Sequence, residues 1–190
     1  EGNADCRTQT IGSRSGLSCK MVRIYKYDYK KRSFKSINIK KQEDKGSDVT
    51  KYRVQKIIAF SEREALVATR RDGVYVLDYQ TMRLKRLFSG SNNILQGAYL
   101  SSNGYIYLSF WGQGLFCYEK TGKFIKRYTK ENSDLTNNYV LDIVEKEGFL
   151  WLATDGGGIN RLELSNENFS NLYHIAGDKN SLPVNSVTIL

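Results

Sequence analysis

A glycine turn set between two apolar runs recurs along this 190-residue chain, and it restricts the fold more than any other feature. "LWLATDGGGINRLEL" spans Leu150 to Leu164, "IYLSFWGQGLFCYEK" Ile106 to Lys120, and "LVATRRDGVYVLDY" Leu66 to Tyr79. A shorter form, "TIGSRSGL", spans Thr10 to Leu17. The last glycine of each turn precedes an apolar run, so it supplies a backbone with positive φ between two strands. A phosphate-cradling loop would instead open a helix and carry a Lys-Ser/Thr pair, and Ile159-Asn160 provides neither. The glycines are architectural.

Anchored on Gly16, Gly73, Gly114 and Gly158, the repeats lie 57, 41 and 44 residues apart. The longer first interval is assigned to an extra loop holding "KKQEDKGSD", Lys40 to Asp48. Each repeat holds short runs rich in β-branched and aromatic residues, bounded by Gly, Asn, Asp or Ser. The fourth reads "YVLDIVEK", "FLWLATD", "GINRLEL" and "FSNLYHI". No segment sustains a helical period. The expected fold is all-β: a β-propeller of four-stranded antiparallel blades with about four repeat units. The units fall around residues 8–50, 51–91, 92–136 and 137–185, with innermost strands beginning near Arg53, Ile94, Tyr139 and Ser186. Residues 186–190 would start or close a further blade, and the first unit is read as lacking its first strand.

Composition fits a folded domain. Thirteen Tyr, eight Phe and two Trp within a 40% hydrophobic chain argue against disorder. No apolar run approaches the roughly 20 residues of a membrane span, and no signal peptide is read at the start, so a soluble chain is expected. Net charge is +9 and uneven: residues 1–100 carry 21 Lys/Arg against 10 Asp/Glu, residues 101–190 carry 8 against 10. The basic half suits an anionic partner, or it is a solvated face. Cys6, Cys19 and Cys117 lack metal-ligand spacing. Cys6 and Cys19 either pair across a hairpin in an oxidising compartment or stay reduced, and Cys117 is assigned to the core.

"NNYVLDIVEKEGFLWLATDGGGINRLELSNENFSNLYH" resembles the two-component regulator propeller repeat. That repeat combines an Asn-rich lead-in, an aromatic strand, a D-G-G-G-I-N-R turn and a closing F-x-x-Y strand. The second and third units match more weakly, and the first has no Trp. The resemblance implies the periplasmic, ligand-sensing part of a hybrid two-component regulator of the gut Bacteroidetes, an inner-membrane protein. Such sensors carry further blades, an immunoglobulin-like module, a membrane span, a histidine kinase, a receiver and a DNA-binding domain. They commonly detect glycan fragments.

No catalytic constellation is visible. His174 is the only histidine, and Asp142, Asp155 and Glu163 lie in different strands. No catalytic activity and no cofactor or metal are expected. Binding residues are sought where the second strand of each unit ends, because equivalent turns of successive blades gather on one face. These are Arg14, Arg70 with its neighbour Arg71, Trp111 and Asp155. Arginine presents a planar fork suited to carboxylate or sulfate, and Trp111 a flat ring on which a sugar can lie. The expected partners are an oligosaccharide, acidic by this argument, and the further blades, membrane and kinase modules of the same chain. A homodimer is left open and no nucleic-acid partner is expected. The alternative is a protein-interaction propeller without a small ligand.

Overall fold

The computed structural model describes residues 9–11, 15–20, 23–38, 53–89 and 93–190; in β1, β2 and the outer ends of β3 and β4 it describes the backbone alone. These residues form four four-stranded antiparallel sheets and no helix. The first blade is β1 (Gln9–Ile11), β2 (Ser15–Lys20), β3 (Arg23–Asp28) and β4 (Ser33–Asn38). The second is β5 (Val54–Ala59), β6 (Glu64–Thr69), β7 (Gly73–Asp78) and β8 (Leu84–Ser89). The third holds β9 (Leu95–Leu100), β10 (Ile106–Phe110), β11 (Gly114–Tyr118) and β12 (Phe124–Tyr128). The fourth holds β13 (Val140–Lys146), β14 (Phe149–Thr154), β15 (Ile159–Glu163) and β16 (Phe169–Leu172).

Three of the first strands begin one residue after the expected Arg53, Ile94 and Tyr139. Each carries a bulge at its second residue, Gln55, Gln96 or Leu141, beside the end of the adjoining second strand. An unpaired residue there bends the strand and re-aims its start. The turn glycines behave as their position required. Gly158 has φ 72° and Gly114 φ 77°, and a Cβ on either would collide with a carbonyl oxygen of the outermost strand, Leu172 or Tyr128.

Two expectations fail. Gly16 lies inside β2 and is not equivalent to Gly73. The first blade has all four strands, β1 being the one expected to be missing, and its third strand begins at Arg23 with no glycine before it. The true register is marked by the hairpin after the third strand. Asp28 accepts the N–H groups of Lys30 and Lys31, just as Asp78 accepts those of Gln80 and Thr81. Arg32 and Met82 then take positive φ, 47° and 59°. Third strands therefore start 50 residues apart, at Arg23 and Gly73. Ser186–Leu190, expected to start or close a further blade, belong to none of the four sheets. They are tied to the fourth blade by Val187 N–H on the Thr154 carbonyl (2.9 Å) and Leu190 N–H on the Asp142 carboxylate (3.3 Å).

The chain divides into two compact units, Glu1–Asn93 and Ile94–Leu190. In the first, Tyr75, Leu77 and Leu84 of the second blade share a core with Ile24 of the first. In the second, Ile143, Leu150, Leu162 and Phe169 of the fourth blade pack against Tyr107, Leu115, Cys117 and Tyr128 of the third. Cys117 is buried there as expected, and burial raises the pKa of its thiol. Cys6 and the Cys19 side chain lie outside the described residues.

Candidate functional site

The residue after each second strand is fixed by the same backbone bond. Arg70 N–H donates to Arg53 O (2.7 Å), Trp111 N–H to Ile94 O (2.8 Å) and Asp155 N–H to Tyr139 O (3.0 Å). A hydroxyl closes the turn behind two of them: Thr69 Oγ1 donates to Gly73 O and Thr154 Oγ1 to Gly158 O, both at 2.7 Å. Arg70, Trp111 and Asp155 are thus structurally equivalent positions. Arg14 lies outside the described residues, in the span between β1 and β2, so the strand order removes its equivalence to Arg70, which follows β6.

In the second unit these turns build a continuous polar and aromatic group. Trp111 is 47% exposed and Tyr139 40%, with ring centroids 5.1 Å apart at 80°. Tyr139 is held by its own N–H on Asn137 Oδ1 (2.9 Å) and rests on Gly112. Asn137 Nδ2 in turn donates to Asp155 O (2.6 Å), and the Asp155 carboxylate accepts from Ser186 Oγ (2.6 Å). An edge-to-face aromatic pair with half its surface in water, flanked by a carboxylate and an amide, can hold a flat, hydroxylated ligand. Tyr139 and Asn137 escaped the search for site residues. They come from the lead-in to the fourth blade, while Trp111 belongs to the third, so a comparison of like positions within repeats misses the pair. The visible signal was an aromatic at Tyr139 where Arg53, Ile94 and Ser186 stand in the other units.

Arg70 and Arg71 belong to the first unit, half-buried and exposed respectively, and neither forms an ion pair among the described residues. The adjacent carboxylate is already engaged: Asp72 accepts from Arg86 Nη2 (2.9 Å) and from the Tyr75 hydroxyl. Burial, then Asp72, pushes the Tyr75 pKa up to about 12. Among the described residues this leaves the two arginines of that turn without a carboxylate partner.

A cleft of about 400 Å³ lies elsewhere in the second unit, lined by Lys126, Tyr128, Asn132, Asp134, Glu167 and Phe169. The Lys126–Glu167 ion pair spans it, and none of the candidate residues reaches it. His174 is exposed, with Nδ1 2.7 Å from the Leu182 carbonyl oxygen. Among the described residues no three His, Cys, Asp or Glu side chains converge on a common point.

Four-stranded antiparallel blades joined by these turns define a propeller-type protein. Residues 134–156, the lead-in and first two strands of the fourth blade, match the family described as two component regulator propeller. Solved structures agree on the fold. The extracellular domain of the one component system BT4673 from B. thetaiotaomicron superposes with a TM-score of 0.71 at 14% identity, over 96% of this chain and 24% of its own. That of the hybrid two component system BT3049 from the same organism gives 0.68 at 14% identity, over 88% and 24%. The computationally designed protein Ika8 gives 0.62 at 12% identity, over 92% of this chain and 49% of its own. The chain thus spans about a quarter of the length of the two B. thetaiotaomicron domains.

Proposed function

We propose that this chain is a ligand-recognition segment of the extracytoplasmic, periplasmic sensor of a hybrid two-component regulator, without catalytic activity of its own. It reports to a membrane span and a histidine kinase in the same polypeptide. The observation that carries the ligand reading is the half-exposed Trp111–Tyr139 pair beside Asp155. The two-component regulator repeat at residues 134–156 supports the sensor role. The ligand is an oligosaccharide: its ring lies on Trp111, and its hydroxyls reach Asp155 and Asn137. By side-chain chemistry alone, Arg70 and Arg71 of the first unit suit the carboxylate or sulfate of an acidic sugar, since a guanidinium pairs with either in a bidentate fork.

Calorimetric titration with neutral and uronic or sulfated oligosaccharides tests this. Trp111→Ala weakens binding with little dependence on salt. Arg70→Ala weakens binding of the acidic sugar by about 1.5–3 kcal/mol, the range for a hydrogen bond to a charged group. A neutral sugar bound as tightly as its acidic counterpart ends the charge argument.

A further inference from the structure

One pair of residues marks the open end of the hairpin between first and second strands. In the second blade this ladder runs from Ala59 opposite Ala65 to Val54 opposite Thr69. The bond from Arg70 N–H to Arg53 O (2.7 Å) continues it by one step, so Arg53 stands directly opposite Arg70. Opposite residues of an antiparallel pair project on the same side of the ladder, with Cβ atoms about 4.5–5.5 Å apart. The same bond sets Ile94 opposite Trp111 in the third blade and Tyr139 opposite Asp155 in the fourth. Of these three blades, only the second places two like charges against each other.

Like charges directly opposite one another destabilise a sheet. Arg53 and Arg70 are both half-buried, which strengthens their repulsion relative to two fully solvated charges. Among the described residues no carboxylate offsets it: Asp72 is held by Arg86 and the Tyr75 hydroxyl, and Asp78 by Arg63. Exposed Arg71 adds a third charge to the same turn. The backbone is not free to relax, because Thr69 Oγ1 donates to Gly73 O (2.7 Å) and accepts from Asp72 N–H (3.1 Å). Nor does the fold require this pair, since the matching positions hold Ile, Trp, Tyr and Asp. A local choice that opposes folding, and that the architecture does not need, points to a ligand that offsets it.

The number of facing forks selects the anion. A carboxylate has two oxygens, and one guanidinium fork satisfies both. A sulfate or phosphate ester has three terminal oxygens in a tripod, which a single planar fork cannot fully engage. Two forks on opposite strands can share them. We propose that Arg53 and Arg70 form a clamp for a tetrahedral oxyanion ester, sulfate or phosphate, in preference to a carboxylate. Arg53 thereby becomes a binding residue alongside Arg70, and Arg71 adds positive charge beside the clamp. The proposal deepens the acidic-sugar reading: it rests on that reading for the molecule that carries the ester, and on the opposed arginines for the ester itself.

The test titrates the full ¹⁵N-labelled chain with methyl sulfate, methyl phosphate and acetate at constant ionic strength. The Nε–H signals of Arg53 and Arg70 shift together and saturate with an ester. Its apparent Kd lies at least about tenfold below that for acetate, as expected for an added hydrogen bond between charged groups. The ester that binds more tightly identifies the group as sulfate or phosphate. Arg53→Gln raises that Kd at least about tenfold, for the same reason. Arg53→Lys keeps the charge but loses the fork, and raises it nearly as far. The comparison of esters with acetate on the wild type stands even where a variant folds poorly. Acetate bound as tightly as the better ester, no saturable shift at Arg53 and Arg70, or wild-type affinity in Arg53→Lys overturns the proposal. Oligosaccharides that fail to bind while the ester shifts persist would count against the sugar reading and leave the clamp in place.

Discussion

The third and fourth blades build the same turn with different chemistry. In the third, Arg127 reaches back from β12 over the Phe116 ring and donates to Gln113 O (2.6 Å) and Gln113 Oε1 (3.0 Å). The second blade repeats this with Arg86, Tyr75 and Asp72. In the fourth blade the matching three positions are Gly157, Asn160 and Asn171. There the brace comes from outside the sheet. Thr136, in the lead-in loop, donates its hydroxyl to Gly157 O (2.7 Å) and accepts from Asn160 Nδ2 (2.8 Å), while its N–H donates to Asn160 Oδ1 (2.8 Å). Asn160 is fully buried. The difference teaches that the D-G-G-G-I-N phrase encodes a buried amide clasp between a turn and the loop before it. Blades braced by an arginine need none of those residues, and the second and third blades lack the D-G-G-G-I-N phrase.

This contrast predicts a graded response to substitution. Asn160→Ala should have the largest effect, about 3 kcal/mol in denaturant unfolding, because it empties a fully buried position and removes the amide that holds the Thr136 N–H and hydroxyl. Gly157→Ala should follow at about 1–3 kcal/mol, the usual range for overpacking. Its Cβ would sit 2.5 Å from Thr136 Oγ1 and 2.6 Å from Asn137 Cβ. Arg127→Ala should cost least, about 1 kcal/mol, since its partner amide is half-buried and water can replace the guanidinium. If Arg127→Ala proved as damaging as Asn160→Ala, the distinction between an internal brace and a buried clasp would fail.

Much of this was legible from the amino acids. Alternating apolar runs and turn glycines placed the starts of β5, β9 and β13 to within a residue, because period-two burial and positive φ leave direct marks on sequence. The first blade was misread because its third strand starts at Arg23 without a glycine, so Gly16 was taken as the anchor. The usable signal was the Asp-Tyr hairpin, "DYKKR" beside "DYQTM", where an aspartate side chain caps the turn. Trp111 and Asp155 could be picked out by position alone. Tyr139 stands out only as the aromatic among Arg53, Ile94 and Ser186, and its pairing with Trp111 joins one blade to the lead-in of the next, which neither repeat shows by itself. Burial was hidden for a related reason: Tyr107 and Trp151 hold equivalent positions, and only the fourth blade packed over Tyr107 distinguishes them.

The central claim is that the turn bearing Trp111, and not the sheet face bearing Trp151, meets the ligand. The two tryptophans of this chain provide the comparison directly. In a ¹⁵N-labelled sample titrated with an acidic oligosaccharide, the Trp111 indole N–H signal should shift and saturate while that of Trp151 holds still. Movement of the Trp151 signal with Trp111 unchanged, or no movement of either, would contradict the account.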